Sequence, residues 1–355
     1  MLQVNKVNPT TTIPHPARER LGLVRETRHE QARRTTDALR WRNRETVSSL
    51  WNGREELLAG LTAPDACIAS KYFYDSLGSQ LFDAITHLPE YYPTRAEAAI
   101  FTRHAADIAR TIGTGRVLID LGAGNCEKAA GLFSELQPVQ YVAVDISAEY
   151  LETALARLRR QYPDIGMTGL GLDMSEGLSL PASVPDAGRL FFYPGSSIGN
   201  FTPLDASAFL ADLRQQCHSQ GGLLIGVDLI KDKAILDAAY DDALGVTAAF
   251  NLNALNNVNS VLGSDFDVRD WRHCGFFNQT MSRAEMHLET RLAVEVRWPG
   301  GSRRFEAAER IHTENSYKYS IPRFAALARA SGWRLDTSWT DVNDMFSVHA
   351  LRAGG

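Results

Sequence analysis

Val117-Leu118-Ile119-Asp120-Leu121-Gly122-Ala123-Gly124-Asn125-Cys126-Glu127-Lys128 is the stretch on which the fold turns. A short, largely apolar run ends in two glycines one residue apart. The run lacks the polar alternation of a strand with one wet face, so it reads as a strand covered on both sides. Glycines directly after it permit a tight turn and let a ligand approach the backbone closely.

Similar runs follow outward along the chain. Tyr141–Asp145 is a second, Gly169–Asp173 a weaker third, Leu190–Pro194 a fourth and Leu223–Asp228 a fifth. Between most of them lie stretches of helical period, such as Tyr150–Arg160 and Pro203–Cys217. Strands alternating with helices predict a parallel sheet with helices on both faces. After Asp228 the rhythm breaks. Residues 231–319 hold a helical, Asn-rich stretch and then two alternating runs, Met286–Trp298 and Arg303–Ile311, around Pro299-Gly300-Gly301. That arrangement predicts a β-hairpin. A helix (Ile321–Ser331) and two strands (Arg334–Trp339 and Met345–Arg352) close the chain. The middle block reads as an inserted lid or substrate domain, with the C-terminus completing the sheet.

Composition narrows the function classes. The chain has 355 residues and a formal net charge of -5, without the clustered basic surface that nucleic acid calls for. No segment approaches the ~18 consecutive apolar residues of a membrane helix. The start of the chain lacks a signal-peptide-like apolar stretch, and its Asp and Glu residues weaken an organelle-import reading of its arginines. Cys67, Cys126, Cys217 and Cys274 lie far apart with no Cys-x-x-Cys pair, which argues against a zinc site and a disulfide framework. A reducing cytoplasm is the expected location, no metal is expected, and a monomer is the expected state. Residues 1–45 are polar and Arg-rich, and the run Arg18 to Arg34 reads either as a solvated helix or as a loosely held leader.

The glycine loop points to a nucleoside. Asp145 ends the next strand, placed to hydrogen-bond ribose hydroxyls. A dinucleotide fold carries a small residue at the third glycine position, beneath a pyrophosphate. Here Glu127 stands there, which favours S-adenosylmethionine, a ligand without pyrophosphate, over a nicotinamide cofactor. Asp173 and Met174 follow the third run. They suit an adenine amine and ring, although Asp173 is equally consistent with a turn or helix cap. Cys126 reads as a packed thiol rather than a nucleophile.

Other stretches are more specific. They are Ser70-Lys71-Tyr72-Phe73-Tyr74-Asp75 with Leu88-Pro89-Glu90-Tyr91-Tyr92-Pro93, then Gly195-Ser196-Ser197-Ile198-Gly199-Asn200-Phe201-Thr202-Pro203, Asp228-Leu229-Ile230-Lys231-Asp232, Ala239-Tyr240-Asp241-Asp242, Glu285-Met286-His287-Leu288 and His312-Thr313-Glu314-Asn315-Ser316-Tyr317-Lys318-Tyr319. Together, from about residue 45 to the C-terminus, they closely resemble the histidine-specific Nα-methyltransferases of ergothioneine biosynthesis. Asn125-Cys126 departs from the small hydroxyl residues usual in that family's loop.

The resemblance implies an α/β fold: a Rossmann-like class I methyltransferase sheet with an inserted, smaller α+β substrate-binding domain. Residues 46–95 and 231–319 would form the substrate part, and 96–230 with 320–355 the methyltransferase core. It implies S-adenosylmethionine as methyl donor, held by Gly122, Lys128, Asp145, Asp173 and Met174. It implies trimethylation of the α-amine of L-histidine to hercynine. Asn200 and Tyr240 would hold the substrate carboxylate. Tyr74 and Tyr91 would lie near the amine, with Phe82 as an apolar wall. Glu314 and Ser316 would read the two imidazole nitrogens, and Met286 would pack on the ring. Tyr74 and Asn200 are the candidate catalytic residues, Tyr74 in a positioning role. Glu314 favours histidine over a tryptophan-like substrate, for which an apolar pocket is expected. Three other readings are weighed beside this one: a methyltransferase for another amine, a nicotinamide-dependent oxidoreductase, and a non-catalytic scaffold.

Overall fold

Leu118, Tyr141, Phe192 and Leu224 pack into one hydrophobic core, and Ile119, Val142, Phe191 and Ile225 into another. Successive residues of a strand point to opposite faces, so these runs bury both sides of one sheet. Each fully buried side chain of this kind contributes roughly 1.5–3 kcal/mol. The structure is a computed structural model that describes residues 53–174, 177–217 and 221–354. The Arg18–Arg34 run lies outside the described residues.

The strands are β1 (Val117–Leu121), β2 (Gln140–Asp145), β3 (Gly166–Gly171), β4 (Arg189–Tyr193), β5 (Gly222–Asp228), β6 (Trp271–Asn278), β7 (Arg283–Thr290), β8 (Val294–Trp298), β9 (Gly301–Phe305), β10 (Arg310–Tyr317), β11 (Trp333–Thr340) and β12 (Phe346–Ala353). The longer helices are α1 (Ser76–Thr86), α2 (Tyr92–Ile112), α3 (Ala148–Gln161), α4 (Pro203–Gln216), α5 (Lys233–Tyr240), α6 (Val246–Leu262) and α7 (Ile321–Ala330). The main sheet runs β11-β12-β5-β4-β1-β2-β3. Only β12 is antiparallel to its neighbours, β5 and β11. Helices α2 and α3 cover one face, and α4 and α7 the other. This is the α/β, Rossmann-like sheet that the sequence predicts. The strand order reverses beside β1, which places the loop after β1 at the crevice where such sheets bind ligands.

Helix boundaries follow local chemistry. Asp75 caps α1 by accepting from Gly78 N at 2.6 Å. Thr202 caps α4 and Ser320 caps α7, each with proline in the first turn. Five asparagines of α6 lie between residues 251 and 259. Asn253 donates to Asp75, Asn257 to Tyr72 O, and Asn251 to His287 O. The Asn-rich stretch thus ties the segment before α1 to the smaller sheet, β10-β7-β6.

Three expectations are corrected. The third strand is Gly166–Gly171, not Gly169–Asp173, so Asp173 and Met174 lie beyond it. β3 is a partly exposed edge strand against α3. A Cβ on Gly169 would sit 2.6 Å from Leu155 Cδ1, and one on Gly171 2.8 Å from Ala148 Cβ. Close helix packing therefore selects glycine there, and glycines give no apolar signal. The Pro299-Gly300-Gly301 hairpin forms between β8 and β9. The two long runs flanking it each break in two, however, and their outer halves become β7 and β10, which pair with each other. Finally β6, which the sequence reading passes over, lies beside β7. Its residues alternate poorly and are mostly half-buried.

Gly226 on β5 lies directly under Glu97, and a Cβ there would be 2.1 Å from Glu97 Oε1. Gly226→Ala is expected to destabilise the fold by about 2–3 kcal/mol through overpacking, a fall of about 5 °C or more in Tm. An unchanged melting curve would show that Glu97 moves aside freely.

Candidate active site

A cleft of about 1120 Å³ opens at the ends of β1, β2 and β4. Gly122 and Gly124 have φ of +71° and +51°. A Cβ on Gly124 would meet nothing within 4 Å, so the loop leaves open a cradle that a side chain would fill. Cys126, with φ of +63°, holds the loop in a left-handed conformation unusual for a residue with a side chain. It is fully buried, and burial pushes its thiol up to about 12. It is a packed, inert thiol, as expected.

Asp145, at the end of β2, accepts from Gly124 N at 2.9 Å and from Ser147 N at 2.9 Å. Ser147 Oγ in turn donates to Tyr74 O at 3.0 Å, linking the loop after β2 to the segment before α1. Asp173 binds Lys71 at 2.8 Å, and Lys71 also binds Glu56 at 2.6 Å. Met174 lies across from the loop, its Cε 4.0 Å from a Cβ built on Gly122. Lys128 is on the cleft wall, but its ammonium is bonded to buried Glu97 at 2.7 Å. The other Glu97 oxygen accepts from Gly195 N at 2.7 Å.

Asp120 also lines this cleft, and the sequence reading did not single it out. One of its oxygens accepts from Tyr141 OH at 2.7 Å, whereas Oδ1 is buried without a partner. Burial raises its carboxyl to about 7. An acid inside an otherwise apolar strand was the available signal. The orphaned acceptor, the open glycine cradle, Asp145 and Met174 fit S-adenosylmethionine, a nucleoside bearing an amino-acid tail.

The cleft leads into an inner chamber of about 60 Å³, and Tyr74, Phe82, Tyr91, Asn200 and Glu314 line both. Tyr240, Met286 and Ser316 line the chamber alone. All the candidate residues predicted from sequence are therefore in the cleft or the chamber. They arrive from separate elements: Phe82 from α1, Tyr240 from the end of α5, Met286 from β7, and Glu314 and Ser316 from β10. A register shift between His312 and Glu314 sets Glu314 opposite Met286, the re-aiming that a bulge accomplishes.

The chamber wall is aromatic. Tyr74 meets Phe82 edge-on at 5.7 Å, and Tyr91 meets Tyr240 at 6.5 Å. Phe250 of α6 lies 5.7 Å from Tyr74 and 5.8 Å from Phe82. Phe250 and Thr247 are further lining residues to which sequence reasoning assigned no role. Burial holds the Tyr74, Tyr91 and Tyr240 hydroxyls well above the ordinary phenol range, so all three are protonated donors near neutrality. Burial also raises Glu314 to about 7, opposed by the nearby Lys318 charge and a hydrogen bond from Asn200.

Behind the chamber lies a buried charge cluster. Asp228 accepts from Lys318 at 2.8 Å, Lys231 at 2.6 Å and Tyr92 OH at 2.8 Å. Lys318 also donates to Tyr240 OH at 2.8 Å and Ser316 Oγ at 2.9 Å. Among the described residues, no cluster of His, Cys, Asp and Glu is arranged to hold a metal ion, and no helix is long and apolar enough to cross a membrane.

Comparison with known proteins bears on what this arrangement does. A family described as histidine-specific methyltransferase, SAM-dependent, matches residues 53–353. The chain is 39% identical over 302 residues to a histidine N-alpha-methyltransferase of Mycolicibacterium smegmatis, covering 83% of this chain and 93% of that protein. It is 37% identical over 302 residues to the enzyme of that name from Mycobacterium tuberculosis, with the same coverage of both chains. It is 33% identical to ergothioneine biosynthesis protein 1 of Neurospora crassa over 78% of this chain, which spans 32% of that longer protein. With the match extending over nearly all of the described residues, the chain belongs to the histidine-specific, S-adenosylmethionine-dependent methyltransferases.

Proposed function

We propose that this enzyme trimethylates the α-amino group of L-histidine to hercynine, the first step of ergothioneine biosynthesis. One observation carries the reading. A half-buried acceptor, Glu314, and a buried hydroxyl, Ser316, face a chamber with Met286 beside them. An imidazole presents one N–H and one bare nitrogen on a flat ring, which these groups match. An indole has no second ring nitrogen and would leave a buried polar group unpaired, at about 1–3 kcal/mol. Relatives named for histidine and ergothioneine support the same substrate.

Residues 53–95 and 231–319 act as the substrate part, and the main sheet holds the methyl donor. Asn200 and Tyr240 donate to the substrate carboxylate without adding charge. Gly122 and Asp145 hold the nucleoside, with Asp173 and Met174 at its base. S-adenosylmethionine supplies an electrophilic methyl group. Tyr74 stands where the cleft meets the chamber and orients the amine toward it. Transfer requires a neutral amine in near-attack geometry, about 3–3.5 Å from the methyl carbon. The α-ammonium of a free amino acid titrates roughly two units above neutrality, so a neutral fraction is present and water can take the proton. The protonated tyrosines are ill suited as bases. Phe82, Phe250 and Tyr91 offer ring faces to a nitrogen that ends as a quaternary cation.

A panel of amino acids incubated with enzyme and S-adenosylmethionine, followed by mass spectrometry, tests this. L-Histidine is expected to gain one, two and three methyl groups. Methylated tryptophan beside unmodified histidine would overturn the assignment.

A further inference from the structure

Lys318 follows β10 directly, and its side chain is 1% exposed. Its three ammonium protons have three acceptors: Asp228 Oδ2, Tyr240 OH and Ser316 Oγ, at 2.8, 2.8 and 2.9 Å. An ammonium only donates. Both hydroxyl oxygens therefore accept from it, and their own protons must point elsewhere. Asp228 is saturated by Lys231 and Tyr92 as well as Lys318, so it does not compete for them. The two hydroxyls also lie within hydrogen-bond reach of each other. One proton at most bridges between them, and the other has only the chamber to face. A ligand with acceptors draws both inward.

We propose that Lys318 is a positioning residue: by occupying the rear of Tyr240 and Ser316, it makes both hydroxyls donors aimed at the substrate. Tyr240 then meets the carboxylate, and Ser316 meets the unprotonated ring nitrogen. Glu314, across the ring, takes the remaining N–H. The chamber thus selects one tautomer of neutral imidazole as well as its shape. The ring-nitrogen half of this rests on the histidine reading. The carboxylate half holds for any amino acid.

The test is a double-mutant cycle between Lys318→Met and the pair Tyr240→Phe with Ser316→Ala. Steady-state kinetics with the amino acid are read alongside S-adenosylmethionine affinity by calorimetry. Lys318→Met alone is expected to raise KM about tenfold, with donor affinity within about twofold. In the background lacking both hydroxyls, the same change should cost less than about twofold, because nothing remains to be oriented. Full additivity, or an equal loss of donor affinity, would overturn the proposal, since a purely structural lysine gives that pattern. Should Lys318→Met fail to fold, Lys318→Gln is read in the same cycle with the same criteria. Wild-type enzyme active only on another amino acid would overturn the histidine reading alone. The cycle is then run with that substrate, whose carboxylate still faces Tyr240.

Discussion

Glu314→Ala is expected to lower kcat/KM for L-histidine by about 10- to 100-fold, while S-adenosylmethionine affinity stays within about twofold. The lost interaction is a hydrogen bond to a carboxylate at the inner end of the cleft, the stronger class of such bonds. Its removal also strands the ring N–H of the substrate. The donor cleft is built from other elements, so it should be indifferent. Equal losses of histidine use and donor affinity would mean that Glu314 supports the fold instead. The same carboxylate should cost stability. Burial holds it at about 7 in the folded chain, against an ordinary value of 4.5. The folded state then binds more protons than the unfolded state between those pH values. Stability from this group is fully present below about 4.5 and is lost as pH rises through about 7. Discounted for water in the cleft, the loss is about 1–2 kcal/mol. Ligand-free Glu314→Gln should accordingly melt higher than wild type at pH 8 and no higher at pH 4. A difference independent of pH would contradict this.

Asp228→Asn is expected to cost about 3–5 kcal/mol near pH 7, because two buried ammonium groups lose their counter-charge while their shape is kept. In a chain of this size that is a fall of roughly 10 °C in Tm. The pH dependence identifies the cause. Burial already lowers Lys231 to about 8, against the pull of Asp228. Its folded value is below its unfolded value of 10.5, so this group makes stability rise with pH between about 8 and 10.5. Without Asp228 the folded value drops further, and the rise begins at lower pH. The variant's deficit should therefore shrink between pH 7 and pH 9 in thermal melts. A deficit that is constant across this range would point to lost packing rather than unpaired charge.

The sheet is legible in the sequence where both faces of a strand are buried. β1, β2, β4 and β5 are near-continuous apolar runs, and the sequence reading places each within a residue or so. β3 is displaced because an edge strand pressed against α3 is made of glycines. β6 is missed because its half-buried, mixed residues follow neither a strand nor a helix pattern. The site is harder to read. Its residues run from Tyr74 to Ser316, and no local spacing predicts that they meet. The likeness to a family supplies the set, and the physics of each side chain supplies only its plausibility. Groups that serve those residues from behind stay hidden. Lys318 and Asp228 meet as a buried pair only after the return from β10 reaches the end of β5. Phe250 looks like ordinary helix core until α6 is seen against Tyr74. Asp120 alone had a local signal, a single acid in an apolar strand.

A crystal structure with L-histidine and S-adenosylhomocysteine is the most direct measurement. The expected result has Glu314 within hydrogen-bond distance of one ring nitrogen and Ser316 of the other. The α-amine should point past Tyr74 toward the donor sulfur, and the carboxylate should lie on Asn200 and Tyr240. An imidazole turned away from Glu314, or an amine facing Lys318 instead of the cleft, would contradict the assignment.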